Sequence, residues 1–527
     1  MSKLTRRQFV KGTAAVGAVC TIGFPSLLRG RGLNEKLQVG FVATGGRAGA
    51  VAGDIPNIVL LMSDDQGWGE TSYNGHPYLK TPVLDEMASS GLRLDRFYAA
   101  SPVCSPTRAS CMTGRHANRS GAFGAGWSIR PQEVTIARLL KDAGYRTAHF
   151  GKWHIGAVKK DSPLCPQNVG FDENLSHDNF FEMDPELSRN GAAPQVYKGE
   201  GSEIIVGEAL KFARKIHNEE KPFFIVVWFG SPHSPYSGYE KDIAPYKNLG
   251  ENISKRFAEI TAMDRAIGMF RKGLDEIGER QNTLLWFNSD NGVTIQDIPE
   301  NERQHLYNGN LNGHKSQLHE GGILVPAIIE WPAVITTPRV SKVPCVTSDL
   351  LPTLIDIVGV DYPEPGRPLD GISLKPLIVE GTMDKRSKPI GFWGYNHRPE
   401  KENELWLEDV TLNEMITLTA GQKAVLARGS SRNRSWFFAN HKHPKMAPQN
   451  FQSGAAWVAD RYKLLMPRAR GNKEQVPELY DIENDREEKN NIASQHPEIV
   501  KAMWSELLEW QESVERSLTG ADYQPGR

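Results

Sequence analysis

The stretch Asn57–Gly69, NIVLLMSDDQGWG, decides how this chain is read. A short apolar run, the length of a strand buried on both faces, passes directly into two adjacent carboxylates and a glycine-rich turn. The same pattern recurs downstream. FFIVVWF (Phe223–Phe229) is apolar almost throughout, and TLLWF (Thr283–Phe287) runs into NSDNG, which carries Asp290 and Asn291. RTAHF (Arg146–Phe150) and LVPAII (Leu324–Ile329) read as further strands. Amphipathic segments lie between them. VTIARLLKDAG (Val134–Gly144) predicts a helix closed by its glycine. From Glu251 to about Ile277, apolar residues recur three and four apart (Ile253, Phe257, Ile260, Met263, Ile267), giving one apolar stripe with charged residues around it.

Strands alternating with helices predict an α/β fold: a large mixed, mostly parallel sheet sandwiched by helices. Such sheets bind ligands beyond the carboxyl ends of their strands. Asp64, Lys152, His233 and Asp290 all follow strands and fall in one region, provided those strands are neighbours. The chain's 527 residues predict two domains. The proline- and charge-rich stretch Asp370–Pro389 marks a hinge between a catalytic α/β domain, residues 54–385, and a smaller C-terminal α+β domain, residues 386–520. The latter is expected to hold short strands at RSWFFAN and RYKLLM and a terminal helix from roughly Pro497 to Arg516.

A net charge of -1 offers no global basic field, so no nucleic-acid partner is expected. No later stretch reaches the ~20 apolar residues of a membrane span. The N-terminus is distinctive. TRRQFVK (Thr5–Lys11) precedes a weakly apolar run without acidic residues, and residues 1–30 resemble a twin-arginine export signal. That implies passage through the twin-arginine export machinery to the periplasm or beyond. Cys20 suggests a lipid anchor, although Val19 before it suits one poorly. Residues 31–53 read as a lead-in. Gly45, Gly46 and Gly49 faintly resemble a dinucleotide-binding turn, but the strand at Asn57 leaves no room for its helix. Five scattered cysteines form no disulfide framework.

The strand ends carry the chemistry. Asp64, Asp65, Asp290 and Asn291 make a hard-oxygen set suited to a divalent cation of the calcium or magnesium class. The alternative is that each is a separate helix cap or turn residue. Lys152, His154, His233 and Lys315, if directed at one edge, would bind a tetrahedral dianion. In SPVCSPTRASCMTGR (Ser101–Arg115), Pro106 opens a helix. Cys104 then stands just before the helix N-terminus, where thiol acidity increases, with Arg108 four residues on. Cys104 is thus either a nucleophile or, like Cys111, a small buried thiol.

CSPTR (Cys104–Arg108), continued by ASCMTGR, resembles the signature of type I sulfatases in the alkaline-phosphatase-like superfamily. PNIVLLMSDDQGWG, GYRTAHFGKWHIG, SPHSP, NSDNG, KSQLHEGGILVP and ELYDIENDREEKNNIA follow the family's order from Pro56 to Ala493. The resemblance implies that a formylglycine-generating enzyme converts Cys104 to formylglycine, an aldehyde hydrated in the active enzyme. It implies calcium on Asp64, Asp65, Asp290 and Asn291. Arg108 and Lys152 would hold the hydrated aldehyde, with His154 beside it as base, while His233 and Lys315 grip the sulfate and assist departure of the alcohol. One hydroxyl of the diol would attack sulfur, and deprotonation of the other would expel sulfate. The substrate implied is a sulfated small molecule or glycan, with a sulfated carbohydrate favoured by aromatic and basic residues in Gly391–Leu407 and Phe437–Gln452. Two rival readings remain. A phosphomonoester or phosphodiester hydrolase would need a second metal set, and a non-catalytic exported glycan-binding protein would lack motif members.

Overall fold

The computed structural model describes residues 55–394, 453–468 and 475–523. The export-signal segment with Cys20, the glycines of the lead-in, residues 395–407 of the Gly391–Leu407 stretch, RSWFFAN and Phe437–Gln452 lie outside the described residues.

Four central strands organise the molecule: β1 (Asn57–Ser63), β2 (Arg146–Lys152), β3 (Phe223–Trp228) and β4 (Thr283–Ser289). They lie side by side in the order β4-β1-β3-β2, all parallel, with Leu60 of β1 opposite Val226 and Trp286. The condition that the site-bearing strands be neighbours is therefore met. A ten-stranded sheet extends from this centre among the described residues. Beyond β2 come a parallel strand, Glu173–His177, and two antiparallel ones, Glu186–Arg189 and Gln195–Val196. Beyond β4 come Ala327–Glu330 and Leu92–Leu94, then Arg339–Ser341. Ala327–Glu330 pairs antiparallel with both of its neighbours, which makes the sheet mixed.

β3 and the middles of β1 and β4 are apolar because both faces of the sheet are covered, whereas β2 also buries Thr147 and His149, and the period of two sorts the side chains. Four helices matter for the site: α1 (Cys104–Thr113), α2 (Gly201–Asn218), α3 (Glu251–Glu276) and α4 (Pro497–Leu518). Val59, Leu61, Ile225 and Val227 share a core with α2 and α3. Ile58, Leu60, Val226 and Trp286 share the opposite core with Ala109, Cys111 and Met112 of α1.

α3 departs from a single stripe. Its charged residues Arg256, Glu259, Asp264 and Arg271 are buried as well. They are tolerated because each has partners. Asp264, for example, accepts the free N–H groups of Val83 and Leu84 at 3.1 and 2.9 Å, at the start of the neighbouring helix Pro82–Ser90.

Near the C-terminus an antiparallel sheet of four strands, Ile390–Trp393, Ala455–Val458, Tyr462–Met466 and Glu478–Asp481, carries α4 on one face through Trp457, Leu464, Leu507 and Trp510. Its other face meets Tyr98, Ile323 and Leu324 through Phe392, Ala456 and Val458. α4 ends two residues later than expected, at Leu518. Asp370 clips α4 to the segment after α1. Its carboxylate accepts from Arg119 Nε at 2.8 Å, His116 N at 2.6 Å and Trp510 Nε1 at 2.8 Å. Burial opposes its charge, but Arg119 and Lys388 overcome that and hold the carboxyl far below its ordinary range.

A depressed folded-state value means the stabilisation is complete above the unfolded pKa of ~4 and disappears as pH falls through the folded value. Asp370→Asn is expected to cost about 3 kcal/mol at pH 7. The gap from the wild type should narrow below pH ~4, as read by urea unfolding at both pH values.

Candidate active site

Where β1 and β4 end, their loops are tied together. Asp65 N–H donates to Asp290 Oδ1 at 3.0 Å, and Asn291 Nδ2 donates to Asp65 Oδ1 at 2.8 Å. Asp64, Asp65, Asp290 and Asn291 are all buried. The N-terminal end of α1 meets the same place. Val103, in extended conformation, is its N-cap, so Cys104 is the first helical residue and not the one before it. The Cys104 Sγ lies 3.5 Å from Asp64 Oδ1 and 3.8 Å from Asp65 Oδ1.

Cationic side chains interleave with the carboxylates. Lys152 Nζ is 2.6 Å from Asp64 Oδ2. Arg108 reaches Asp290 Oδ2 through Nε at 3.1 Å and Nη2 at 2.7 Å, and its guanidinium lies 5.1 Å from the centre of the Trp228 ring. Lys315 Nζ binds both Asp65 oxygens, at 2.6 and 2.7 Å, and approaches Cys104 Sγ at 3.6 Å. His233 Nε2 is 3.7 Å from Asp65 Oδ2, and its ring stacks on Phe180 with centroids 4.5 Å apart. His154 is buried with a φ of 58°, and neither of its ring nitrogens has a hydrogen-bond partner. Its backbone N–H donates to Asp178 O at 3.0 Å.

These contacts set the protonation of the ion-free site. Burial raises Asp65, but the Lys315, His233 and Lys152 charges outweigh it and hold the carboxyl low. Burial and neighbouring Asp64 push Asp290 up to about 6. Burial, together with Lys152 and Arg108, holds His154 neutral. Burial also pushes His233 down to about 3. The expectation of an acidified Cys104 is overturned. Burial and the Asp290 charge drive this thiol well above its ordinary value in the ion-free site, against the opposing charges of Lys152 and Lys315.

A divalent cation fits these residues. Ligand atoms of Asp64, Asp65, Cys104 and His233 lie within 4.8 Å of one another, a group that shares Asp64 and Asp65 with the expected ligand set but does not include Asp290. Asn291 Oδ1 is a buried acceptor with no donor, as expected of an oxygen shaped for a cation. Carboxylates and an amide oxygen form the hard donor set that calcium and magnesium prefer.

Three residues next to the site escaped the sequence reading. Phe180 carries no local signal. Arg256 reads as an ordinary solvated charge on a long helix. Glu70 follows the glycine turn after Asp65, so its position was visible but not its partner.

The Sulfatase family's pattern matches residues 56–360. The chain is 31% identical to N-acetylgalactosamine-6-sulfatase of Mus musculus over 380 residues, covering 65% of this chain and 69% of that protein. It is 28% identical to steryl-sulfatase of Rattus norvegicus over 415 residues, covering 62% and 70% respectively. Among solved structures, that of Ps i-CgsB in complex with k-i-k-neocarrahexaose superimposes with a TM-score of 0.69 at 22% identity, covering 90% of this chain and 98% of that one.

A divalent cation bound here would add to the positive charge that Lys152, Lys315 and Arg108 already place on the three carboxylates, and so stabilise the fold. A divalent cation at a hundred times its dissociation constant is expected to add about 2.7 kcal/mol over the chelator-treated protein. Scanning calorimetry with and without chelator measures this, and a melting temperature indifferent to the cation would contradict the fit.

Proposed function

The chain belongs to the sulfatase family, and from that premise we propose that it hydrolyses sulfate esters on a sulfated carbohydrate, with formylglycine made from Cys104 and one calcium ion. The observation that carries the proposal is the place of Cys104. A side chain at the first position of α1 sits within 3.8 Å of two carboxylates and 3.6 Å from Lys315.

Asp64, Asp65, Asp290 and Asn291 would hold the cation, which when bound supplies positive charge that stabilises a deprotonated oxygen beside it. The hydrated aldehyde at position 104 supplies one hydroxyl as nucleophile and a second whose deprotonation releases sulfate. The remaining work falls to the chain's own groups. Arg108 and Lys152, both fully buried, fix the position of the nucleophile. Lys315 and His233 are partly exposed, at 18% and 17%, so they face the side from which an ester enters. There Lys315 binds the sulfate oxygens and holds a proton at the departing alcohol oxygen, and His233, neutral in the ion-free site, joins it once the negative charge of the bound ester raises it. His154, neutral and unpartnered, offers a free lone pair to accept a proton.

Support for a carbohydrate comes from the likeness to N-acetylgalactosamine-6-sulfatase and to the carrahexaose complex. The steryl-sulfatase relative is the reason that family membership by itself does not choose a sugar. The phosphate-ester reading is disfavoured because a single group of metal-spaced residues occurs among the described residues. Export through the twin-arginine route, after action of a formylglycine-generating enzyme, is the proposed path to the periplasm. It rests on the TRRQFVK stretch. Among the described residues, no helix is long and apolar enough to cross a membrane.

Mass spectrometry of the peptide containing Cys104, from the producing cells, is expected to find it about 18 Da lighter than the thiol form. Cys104→Ala should lower sulfate release from sulfated saccharides by at least about 10³-fold. An active protein with an unmodified thiol, or faster release of phosphate than of sulfate, would overturn the proposal.

A further inference from the structure

Beneath the site, Arg256 projects from the first turns of α3 and is wholly buried. A guanidinium has five N–H donors, and here each has an acceptor. Nε and one Nη2 proton meet the two carboxylate oxygens of Glu70, at 2.7 and 2.6 Å, as a bidentate pair. The other Nη2 proton goes to the backbone carbonyl of Asp65 at 2.7 Å. Nη1 donates to the carbonyl of Pro232 at 2.8 Å and to the Tyr236 hydroxyl at 3.3 Å.

These acceptors belong to two loops. Asp65 and Glu70 lie in the loop after β1, which Glu70 also closes by accepting Gly67 N–H at 2.8 Å. Pro232 and Tyr236 flank His233 in the loop after β3. One turn further along α3, Glu259 accepts Ser237 N–H at 2.7 Å from the same loop. Asp65 also has a φ of 67°, in the left-handed region that a non-glycine residue holds only when its surroundings over-determine it. Arg256 on its carbonyl and Asp290 on its N–H grip it from both sides.

We propose that Arg256 is a positioning residue for sulfate-ester cleavage: it clips the Asp64–Glu70 loop to the Pro232–Tyr236 loop and so fixes Asp65 and His233 across the site from each other. The inference rests on the sulfatase reading and adds to it a residue that touches neither cation nor substrate. Two of the clip's acceptors are backbone carbonyls, which remain polar whatever side chain replaces Arg256. Their alignment is therefore lost with the guanidinium.

Two variants test the clip. Arg256→Lys keeps a charge but lacks the fork. The double variant Arg256→Met with Glu70→Met removes the pair without leaving a buried charge unpaired, a change that folded proteins often accept. Each is expected to unfold cooperatively, with kcat on a sulfate ester about 100-fold lower and KM within about threefold of the wild type. Calcium affinity, measured by titration calorimetry, should be roughly tenfold weaker. A folded variant with wild-type kcat and calcium affinity would overturn the proposal. So would failure of both variants to fold, since Arg256 would then serve the fold and not the site. The two readings fail separately. A wild-type protein that releases no sulfate defeats the sulfatase reading, while calcium affinity of the variants still tests the clip.

Discussion

Three carboxylates, Asp64, Asp65 and Asp290, are packed out of reach of water at the ends of two adjacent parallel strands. Like charges 4 Å apart at an effective dielectric of about 20 repel by about 4 kcal/mol, so the group is bearable only among positive charges. Each carboxylate accordingly has a cationic neighbour: Lys152 on Asp64, Lys315 on Asp65 and Arg108 on Asp290. The rest of the site follows from that constraint. Parallel strands bring the acids together, and the bases arrive on β2, on α1 and on the loop before Leu324. Cys104 is left at the point where acids and bases meet.

The second layer of support comes from backbone packed against backbone. The NSDNG turn and the KSQLHEGG loop touch, with Lys315 N–H donating to Val293 O at 2.9 Å and Gly292 N–H to Gly322 O at 3.0 Å. A side chain at Gly292 would bring its Cβ to 2.0 Å from Gly321 O, so only glycine permits the approach. The C-terminal sheet braces the same loop. Buried Lys463 stands between Glu320 and Glu488, at 2.9 and 2.8 Å, and Tyr98 donates to Glu320 at 3.0 Å. Lys315 is thus held through its own carboxylate partner and through a loop anchored by residues more than a hundred positions later in the chain.

Much of this was legible in the sequence, for a physical reason. Strands covered on both faces are mostly apolar, so NIVLLM and FFIVVWF announce themselves, and ligand-binding residues of such sheets collect just beyond their carboxyl ends. The ten site residues read from the sequence occupy one region, nine of them joined by the contacts described and His154 following Lys152 by two positions. Sheet order was not legible, because an apolar run does not specify which strand it pairs with. The buried charges of α3 were hidden too. Arg256 and Asp264 look like surface residues until their partners, distant in sequence, are brought beside them. The acidity expected of Cys104 failed for a related reason: a helix N-terminus is visible in sequence, whereas complete desolvation beside Asp290 is not.

Anomalous diffraction from a crystal grown with calcium, or with manganese in its place, addresses the central claim most directly. One cation is expected among Asp64, Asp65, Asp290 and Asn291, with oxygens at about 2.3–2.6 Å for calcium and the residue-104 side chain beside it. A site that stays empty at saturating cation, or a cation bound only elsewhere on the molecule, would contradict the account.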